Sequence, residues 1–224
     1  VFHLTPLCRN SNIEMRLFYM SALQNSGYKF DAAQRYALKV IENKTLPQAP
    51  PINLYTNNRK KPLKVKHFIH EEFWREELRF YSKKNGWKLV KKNRKDTRRE
   101  YVAEIKDPKG KKDPLKIRVV LEKGELDFLV DMADPKTHCI IYSGHSALGG
   151  NGSQAITDAE PMQGLPKTVF LANCRGKDNY AEFANKFPGA MLITTDGPTY
   201  SDLEFGRLKG LYDTFSRNET FDYM

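Results

Sequence analysis

The chain has 224 residues, 40% of them hydrophobic and 12% aromatic, which is enough to bury the core of one large or two small domains. This composition excludes a fully disordered chain, and the apolar runs are only a few residues long against the roughly 20 that a membrane-spanning helix needs. The formal net charge is +10, and the excess lies between Arg59 and Arg118, a region with 22 basic and 9 acidic residues. Such a cluster would suit a polyanionic partner.

The cysteine content indicates reduced thiols. Cys8, Cys139 and Cys174 are too few and too widely spaced for a disulfide scaffold or a zinc knuckle. Reduced cysteines favour the cytoplasm as the compartment in which the protein acts.

Two helices are predicted near the N-terminus, at about Asn12–Gln24 and Asp31–Glu42, because apolar residues recur there at helical spacing. A stretch rich in proline and polar residues follows, which is typical of a linker or of an extended segment lying over the surface. We therefore predict a helical segment over residues 1–45, a linker over 46–62 and a single α/β domain over 63–224.

Short β-rich runs alternate with helical stretches from Leu63 onward, a pattern typical of a layered α/β domain with a mainly parallel sheet. A basic hairpin is predicted at about 99–121, and a glycine-rich loop is predicted between the strands at 139–142 and 168–172. The predicted strands are 63–69, 87–90, 101–105, 115–121, 139–142, 168–172 and 190–194. The predicted helices are 71–85, 125–132, 179–187 and 202–215.

Two of the predicted strands end in residues that could carry chemistry. The strand that ends at Tyr142 is followed by His145, and the strand that ends at Ala172 is followed by Cys174. Ligands of open parallel sheets sit at the carboxyl ends of the strands, so both side chains are expected over the same crevice. An imidazole near a thiol can activate it and can protonate a leaving amine. The pattern therefore predicts a Cys/His dyad.

The order of these two motifs resembles that of the caspase-fold cysteine peptidases, which include caspases, metacaspases, gingipains, separases and the self-cleaving domains of large bacterial toxins. Ala172-Asn173-Cys174-Arg175-Gly176 is similar to the caspase Q-A-C-[RQG]-G signature with two substitutions. The segment from Phe187 to Gly197 is similar to the strand and loop that follow the Cys in the gingipain branch. The resemblance covers roughly residues 63–216 and implies a three-layer domain around a mainly parallel sheet.

Three departures from the family pattern limit the resemblance, which therefore implies a divergent or inactive member, closer to the gingipain, separase and toxin-protease branches than to true caspases. Ser146 stands where the family has the glycine after its His. Only 29 positions separate His145 from Cys174, against roughly 50 in caspases. Ala172 replaces the glutamine of the caspase pocket for acidic residues, so a preference for Asp is not implied.

The resemblance implies a cysteine endopeptidase that hydrolyses protein or peptide substrates through a thioester acyl-enzyme, with Cys174 as nucleophile and His145 as acid–base partner. The backbone N–H groups of Ser146 and Cys174 would form the oxyanion hole. Thr195 and Asp196 would shape the substrate pocket, with Asp196 meeting a basic P1 side chain. No third residue is recognisable at a fixed spacing, so a dyad is predicted.

Two consequences concern where and how such a peptidase would act. A basic P1 preference makes Arg59-Lys60-Lys61 a candidate self-processing site. Reduced cysteines favour a cytoplasmic protein. The resemblance to toxin-borne peptidases adds a second possibility, a bacterial effector that is delivered to the cytoplasm of another cell and acts there.

The basic block admits three interpretations: a solvated face, a site for a specific polyanion and a nucleic-acid surface. Some toxin-borne members of the family are activated by a highly phosphorylated inositol, so the resemblance makes an inositol polyphosphate the candidate activator, ahead of nucleic acid. The alternative to a peptidase is a catalytically silent α/β module whose basic flank binds a polyanion or nucleic acid. The candidate anion-binding residues are Lys91, Lys92, Arg94, Lys95, Arg98 and Arg99.

The remaining cysteines and histidines carry no partner pattern, and no metal ligands are predicted. Cys139 is expected in the core because it lies inside a predicted strand. Five others are expected to be structural or on the surface: Cys8, His3, His67, His70 and His138.

Overall fold

The computed structural model describes most of the predicted α/β domain and the last residues of the predicted linker. The described residues are 55–107, 110, 112–124, 126, 128–145, 151–161, 167–174, 176–187, 190–194 and 201–217. The two predicted N-terminal helices, Asn12–Gln24 and Asp31–Glu42, lie outside these residues.

Within the described residues, seven strands form one mixed sheet in the order β2-β3-β4-β1-β5-β6-β7. Strands β4, β1, β5, β6 and β7 run parallel to one another, whereas β3 is antiparallel to both β2 and β4. The mainly parallel sheet is thus confirmed, and β3 with β4 forms the predicted basic hairpin. The strands are β1 (Leu63–Ile69), β2 (Lys88–Lys92), β3 (Arg98–Ile105), β4 (Leu115–Lys123), β5 (Cys139–Ser143), β6 (Thr168–Ala172) and β7 (Met191–Thr194).

Five α-helices accompany the sheet in the part of the chain that the structure describes, and none of them is long and apolar enough to cross a membrane. They are α1 (Trp74–Phe80), α2 (Phe128–Ala133), α3 (Asn151–Asp158), α4 (Tyr180–Lys186) and α5 (Ser201–Arg217). Three 3-10 turns complete the elements, at Glu71–Phe73, Lys83–Asn85 and Gly176–Asn179.

The helices cover both faces of the sheet, which makes three layers. On β5, Cys139 and Ile141 pack with α1 and α5, whereas Ile140 and Tyr142 pack with α2, α3 and α4 on the opposite face. Every residue of β5 and of β6 is buried, as expected for parallel strands with both faces covered. The fully buried Cys139 confirms its prediction as a core residue.

Two local predictions of secondary structure are wrong. The single helix predicted over 71–85 is a 3-10 turn, the short helix α1 and a second 3-10 turn. The chain leaves the helix at Tyr81, which is buried and bonded to a histidine of the sheet. Helix α3 begins within the predicted glycine-rich loop, where Gly152 permits close packing: a Cβ atom there would lie 2.9 Å from Nδ2 of Asn173.

The last residues of the predicted linker pack against the domain. The ring of Tyr55 stacks on that of His138 with centroids 5.1 Å apart. The guanidinium of Arg59 donates to the backbone carbonyls of Asp113 and Ser216. In this conformation the first residue of the candidate self-processing site is therefore held by the domain.

Candidate active site

The carboxyl ends of three adjacent parallel strands form the candidate site. Ser143 at the end of β5 is paired in register with Ala172 at the end of β6. His145 and Cys174 each follow their paired residue by two positions, and neighbouring strands lie about 4.8 Å apart. The two predicted catalytic residues therefore occupy equivalent positions beyond neighbouring strands.

The third strand end belongs to β1, which pairs with β5 on the side away from β6. His70 follows β1 directly, and its backbone N–H donates to the carbonyl of Ser143 at 2.8 Å. Between Ser143 and His145, Gly144 lies against the side chain of Tyr142, and a Cβ atom at this position would collide with the Tyr142 hydroxyl. Glycine is thus required where the chain leaves β5 and leads to His145.

A carboxylate contacts the imidazole of His145. Nε2 of His145 lies 3.0 Å from Oε2 of Glu72, which belongs to the 3-10 turn after β1. A carboxylate can only accept, so Nε2 is the donor in this contact, and in the neutral ring Nδ1 then has the lone pair. Both side chains are more than half exposed, and an exposed pair of this kind contributes little stability. The contact therefore orients the ring more than it stabilises the fold.

Two further rings surround His145. The ring of His70 lies edge-on to it with centroids 4.6 Å apart, and that of Phe73 lies at 5.4 Å. One potential metal-ligand atom from each of His70, Glu72 and His145 lies within 4.8 Å of the other two. The three side chains therefore form one cluster, which we call the His/Glu cluster.

A chain of buried hydrogen bonds lies beneath the strand ends. Nε2 of His67, on β1, is 2.7 Å from the Ser143 hydroxyl, and Nδ1 is 2.8 Å from the Tyr81 hydroxyl. The Tyr81 hydroxyl is in turn 3.0 Å from that of Tyr212 on α5. Burial lowers the pKa of His67 to about 3, so its imidazole is neutral at physiological pH. This network joins the ends of β1 and β5 to the helical layer.

The two cysteines that the structure describes differ in access. Cys174 is half-buried at the end of β6, whereas Cys139 is fully buried inside β5. Burial raises the pKa of the Cys139 thiol above its usual range, which disfavours the reactive thiolate. Of this pair, Cys174 is the one that a substrate could reach.

Several predicted site residues lie outside the described residues. They are Ser146, whose N–H was assigned to the oxyanion hole, and Thr195 and Asp196, which were assigned to the substrate pocket. Their roles stay predictions. The described part of β7 ends at Thr194, directly before the predicted pocket loop.

The six candidate anion-binding residues lie on the β2–β3 hairpin, at one edge of the sheet and separated from β1 by β4. Three of them are in ion pairs. Arg99 makes a bidentate contact with Asp96, at 2.7 and 2.8 Å, and Lys92 lies 3.3 Å from the same carboxylate. Arg98 lies 3.1 Å from Glu122. The hydrogen bond from Arg99 lowers the pKa of Asp96 to about 2, so this carboxylate stays charged. The three other residues, all exposed, are Lys91, Arg94 and Lys95.

Comparison with known proteins adds no assignment: no model of a protein family matches the chain, and no similar protein was found among curated proteins.

Two members of the His/Glu cluster, His70 and Glu72, were not among the site residues predicted from the sequence. Both directly follow the predicted strand 63–69 in His70-Glu71-Glu72. The strand-end argument that selected His145 and Cys174 applies equally to this segment. A search of every predicted strand end for polar residues would therefore have found them.

Proposed function

We propose that the protein is a cysteine peptidase in which Cys174 is the nucleophile, His145 the acid–base partner and Glu72 a positioning residue. The observation that carries the proposal is the register of β5 and β6, which gives His145 and Cys174 equivalent positions beyond neighbouring strands. The carboxylate of Glu72, 3.0 Å from His145, gives the imidazole the tautomer that a general base needs.

The reaction would begin with proton transfer from the Cys174 thiol to Nδ1 of His145. The sulfur attacks the carbonyl carbon of the scissile peptide, and the resulting oxyanion is stabilised by backbone N–H groups, for which Ser146 and Cys174 are the candidates. The C–N bond then breaks as the imidazolium returns its proton to the leaving amine. Water, deprotonated by His145, hydrolyses the thioester and restores the thiol.

Glu72 would act through His145 rather than on the substrate. By accepting from Nε2 it fixes which nitrogen has the lone pair, and it attracts the positive charge that the ring acquires during the reaction. Because the pair is exposed to solvent, we expect a modest contribution to the rate.

Substrate choice is proposed to depend on the loop after β7. Asp196 would pair with a basic P1 side chain through a charge-assisted hydrogen bond, and Thr195 would line the same pocket. The alternative hypothesis, a silent module that binds a polyanion through the β2–β3 hairpin, concerns a different edge of the sheet and is tested separately.

Turnover of an unfolded protein substrate tests the proposal. The full chain is incubated with a reduced and alkylated protein, and the cleavage products are identified by mass spectrometry. Cleavage is expected from the wild type and from Cys139→Ala, and a loss of at least about a thousandfold from Cys174→Ala and His145→Gln. Cleavage by Cys174→Ala at the wild-type rate would overturn the proposal.

A further inference from the structure

We propose that the His/Glu cluster, made of His70, Glu72 and His145, binds a divalent transition-metal ion of the Zn²⁺ class. Two imidazoles and one carboxylate are a known set of protein ligands for catalytic zinc, with a further position left for water. The three residues come from the adjacent ends of β1 and β5, so the folded sheet brings them together.

The distances within the cluster suit one small ion. Ligand atoms bound to tetrahedral zinc at 2.0–2.2 Å lie about 3.3–3.6 Å apart. Nε2 of His145 and Oε2 of Glu72 are already 3.0 Å apart, and one ligand atom from each of the three residues lies within 4.8 Å of the other two. Small rotations of the exposed Glu72 and His145 side chains would close the remaining gap. The backbone N–H of Glu72 approaches Nδ1 of His70 at 3.4 Å, a contact long enough to yield to a metal ion.

The surroundings leave the Glu72 carboxylate available to a cation. Lys123, the nearby lysine of β4, contacts the neighbouring Glu71 instead. Phe73 packs against the rings of both His70 and His145, which limits how far either imidazole can turn away. Glu71 and Glu72 are thus adjacent carboxylates with different partners, and they form a matched pair for mutagenesis.

The donor atoms decide which ions would bind. Imidazole nitrogen suits Zn²⁺, Cu²⁺, Ni²⁺ and Fe²⁺, and the affinity of a given site rises from Mn²⁺ to Cu²⁺ and falls again at Zn²⁺. Mg²⁺ and Ca²⁺ take oxygen ligands and would compete poorly for two imidazoles. Zinc is the probe used here, and Co²⁺ reports the coordination through its visible absorption.

A bound ion would switch off the proposed peptidase, and this consequence rests on the proposed function. The ion would occupy Nε2 of His145, and the other ring nitrogen would then carry the proton. Such an imidazole cannot accept a proton from Cys174. Zinc binding and catalysis would therefore exclude each other, and a chelator would restore activity.

Binding is tested first, by calorimetric titration of metal-free full chain with ZnCl₂ and by Co²⁺ absorption. One ion per chain is expected for the wild type, Glu71→Gln and Cys174→Ala. His70→Gln and Glu72→Gln should weaken binding at least about tenfold, since even partners that only support a metal ligand cost 10- to 100-fold when removed. Circular dichroism in EDTA establishes that each variant is folded.

The outcomes of this titration separate the possible sites. Equal affinity in Glu71→Gln and Glu72→Gln would overturn the proposal, as would wild-type affinity in His70→Gln. Loss of binding in Cys174→Ala would also overturn it, because the ion would then sit between Cys174 and His145 instead. None of these readouts needs peptidase activity, so the metal site can be supported even where the proposed function fails.

Inhibition is tested next, on the substrate for which turnover is found. Zinc should inhibit the wild type and Glu71→Gln, and EDTA should restore the rate. His70→Gln, compared with its own metal-free rate, should need at least about ten times more zinc for half inhibition. Equal sensitivity of His70→Gln, or stimulation by zinc, would overturn the inhibitory role.

Discussion

His145 and Glu72 lie 73 positions apart in the chain, yet Nε2 of the imidazole is 3.0 Å from the carboxylate. The contact exists because β1 and β5 are adjacent parallel strands, and the residues that follow them meet at one edge of the sheet. A residue that no sequence spacing indicated thus contacts the histidine that the sequence did indicate.

Glu72→Gln should lower kcat about tenfold, equivalent to about 1.4 kcal/mol of activation free energy, with little change in KM. The amide can still contact Nε2 but does not attract the imidazolium charge. Glu72→Asp should recover part of the rate, and Glu71→Gln should resemble the wild type. Steady-state kinetics on a cleaved peptide provide the measurement. A higher KM with an unchanged kcat would mean that Glu72 binds substrate instead.

The buried network should show unequal costs at its two tyrosines. The Tyr81 hydroxyl has two partners in this network, His67 and Tyr212, whereas the Tyr212 hydroxyl has one partner in it, Tyr81. Tyr81→Phe leaves a ring nitrogen of His67 buried without that partner, so we expect a loss of about 1–3 kcal/mol in the free energy of unfolding. Tyr212→Phe should cost about 1 kcal/mol. Urea denaturation of both variants gives the comparison, and a larger cost at Tyr212 would contradict the network.

His67 should make the fold less stable in mild acid. Burial lowers its pKa from 6.5 to about 3, so below pH 6.5 the unfolded chain takes up a proton that the folded chain does not. The free energy of unfolding therefore decreases as the pH is lowered from about 6.5 to about 3, by up to about 1.4 kcal/mol per pH unit.

The variant His67→Gln removes this titration while keeping a polar side chain in the network. Its loss of stability between pH 7 and pH 5 should be about 2 kcal/mol smaller than that of the wild type. His138, whose pKa burial lowers to about 4, contributes equally to both proteins. Urea titrations at the two pH values measure the difference, and parallel losses in the two proteins would argue against a neutral buried His67.

The β2–β3 hairpin should attract polyanions only weakly, because Arg98, Arg99 and Lys92 are already paired with carboxylates. Thermal melts with an inositol polyphosphate and with single-stranded DNA should show similar small shifts that vanish at physiological salt. A polyanion that binds a specific site would instead stabilise the folded protein by about 2.7 kcal/mol when its concentration is 100 times its dissociation constant.

A matched pair of variants locates any shift that is found. Replacing Lys91, Arg94 and Lys95 by alanine should abolish a specific effect of the hairpin. Replacing the exposed Lys83 and Lys84 should leave it unchanged. A salt-resistant shift that depends on the first set would support the inositol polyphosphate hypothesis and overturn the weak-attraction prediction.

The buried strands were the easiest part of the fold to predict. Strand β6 has the predicted bounds, and β5 differs by one residue, because continuous apolar runs between polar residues mark strands that are buried on both faces. Helices were predicted less accurately where tertiary contacts determine the residue at which the helix ends. The apolar spacing over 71–85 fits one helix, but the burial of Tyr81 next to His67 ends α1 early.

The candidate site was predictable in part for the same reason. Strand ends are local features, and they identified His145 and Cys174. The partners of His145 depend on which strands are adjacent, and the sequence pattern does not specify that β1 lies beside β5. Glu72 and His70 therefore emerged only when the sheet order was known.

Covalent trapping would identify the residue that acts as nucleophile. Peptides that carry an acyloxymethyl ketone after Arg, Lys or Asp are incubated with the full chain, and the modified residue is located by mass spectrometry. We expect one adduct, on Cys174, that is absent from Cys174→Ala and forms at least about a hundredfold more slowly in His145→Gln. An adduct on Cys8 or Cys139 instead, or labelling of Cys174 at the same rate in His145→Gln, would contradict it.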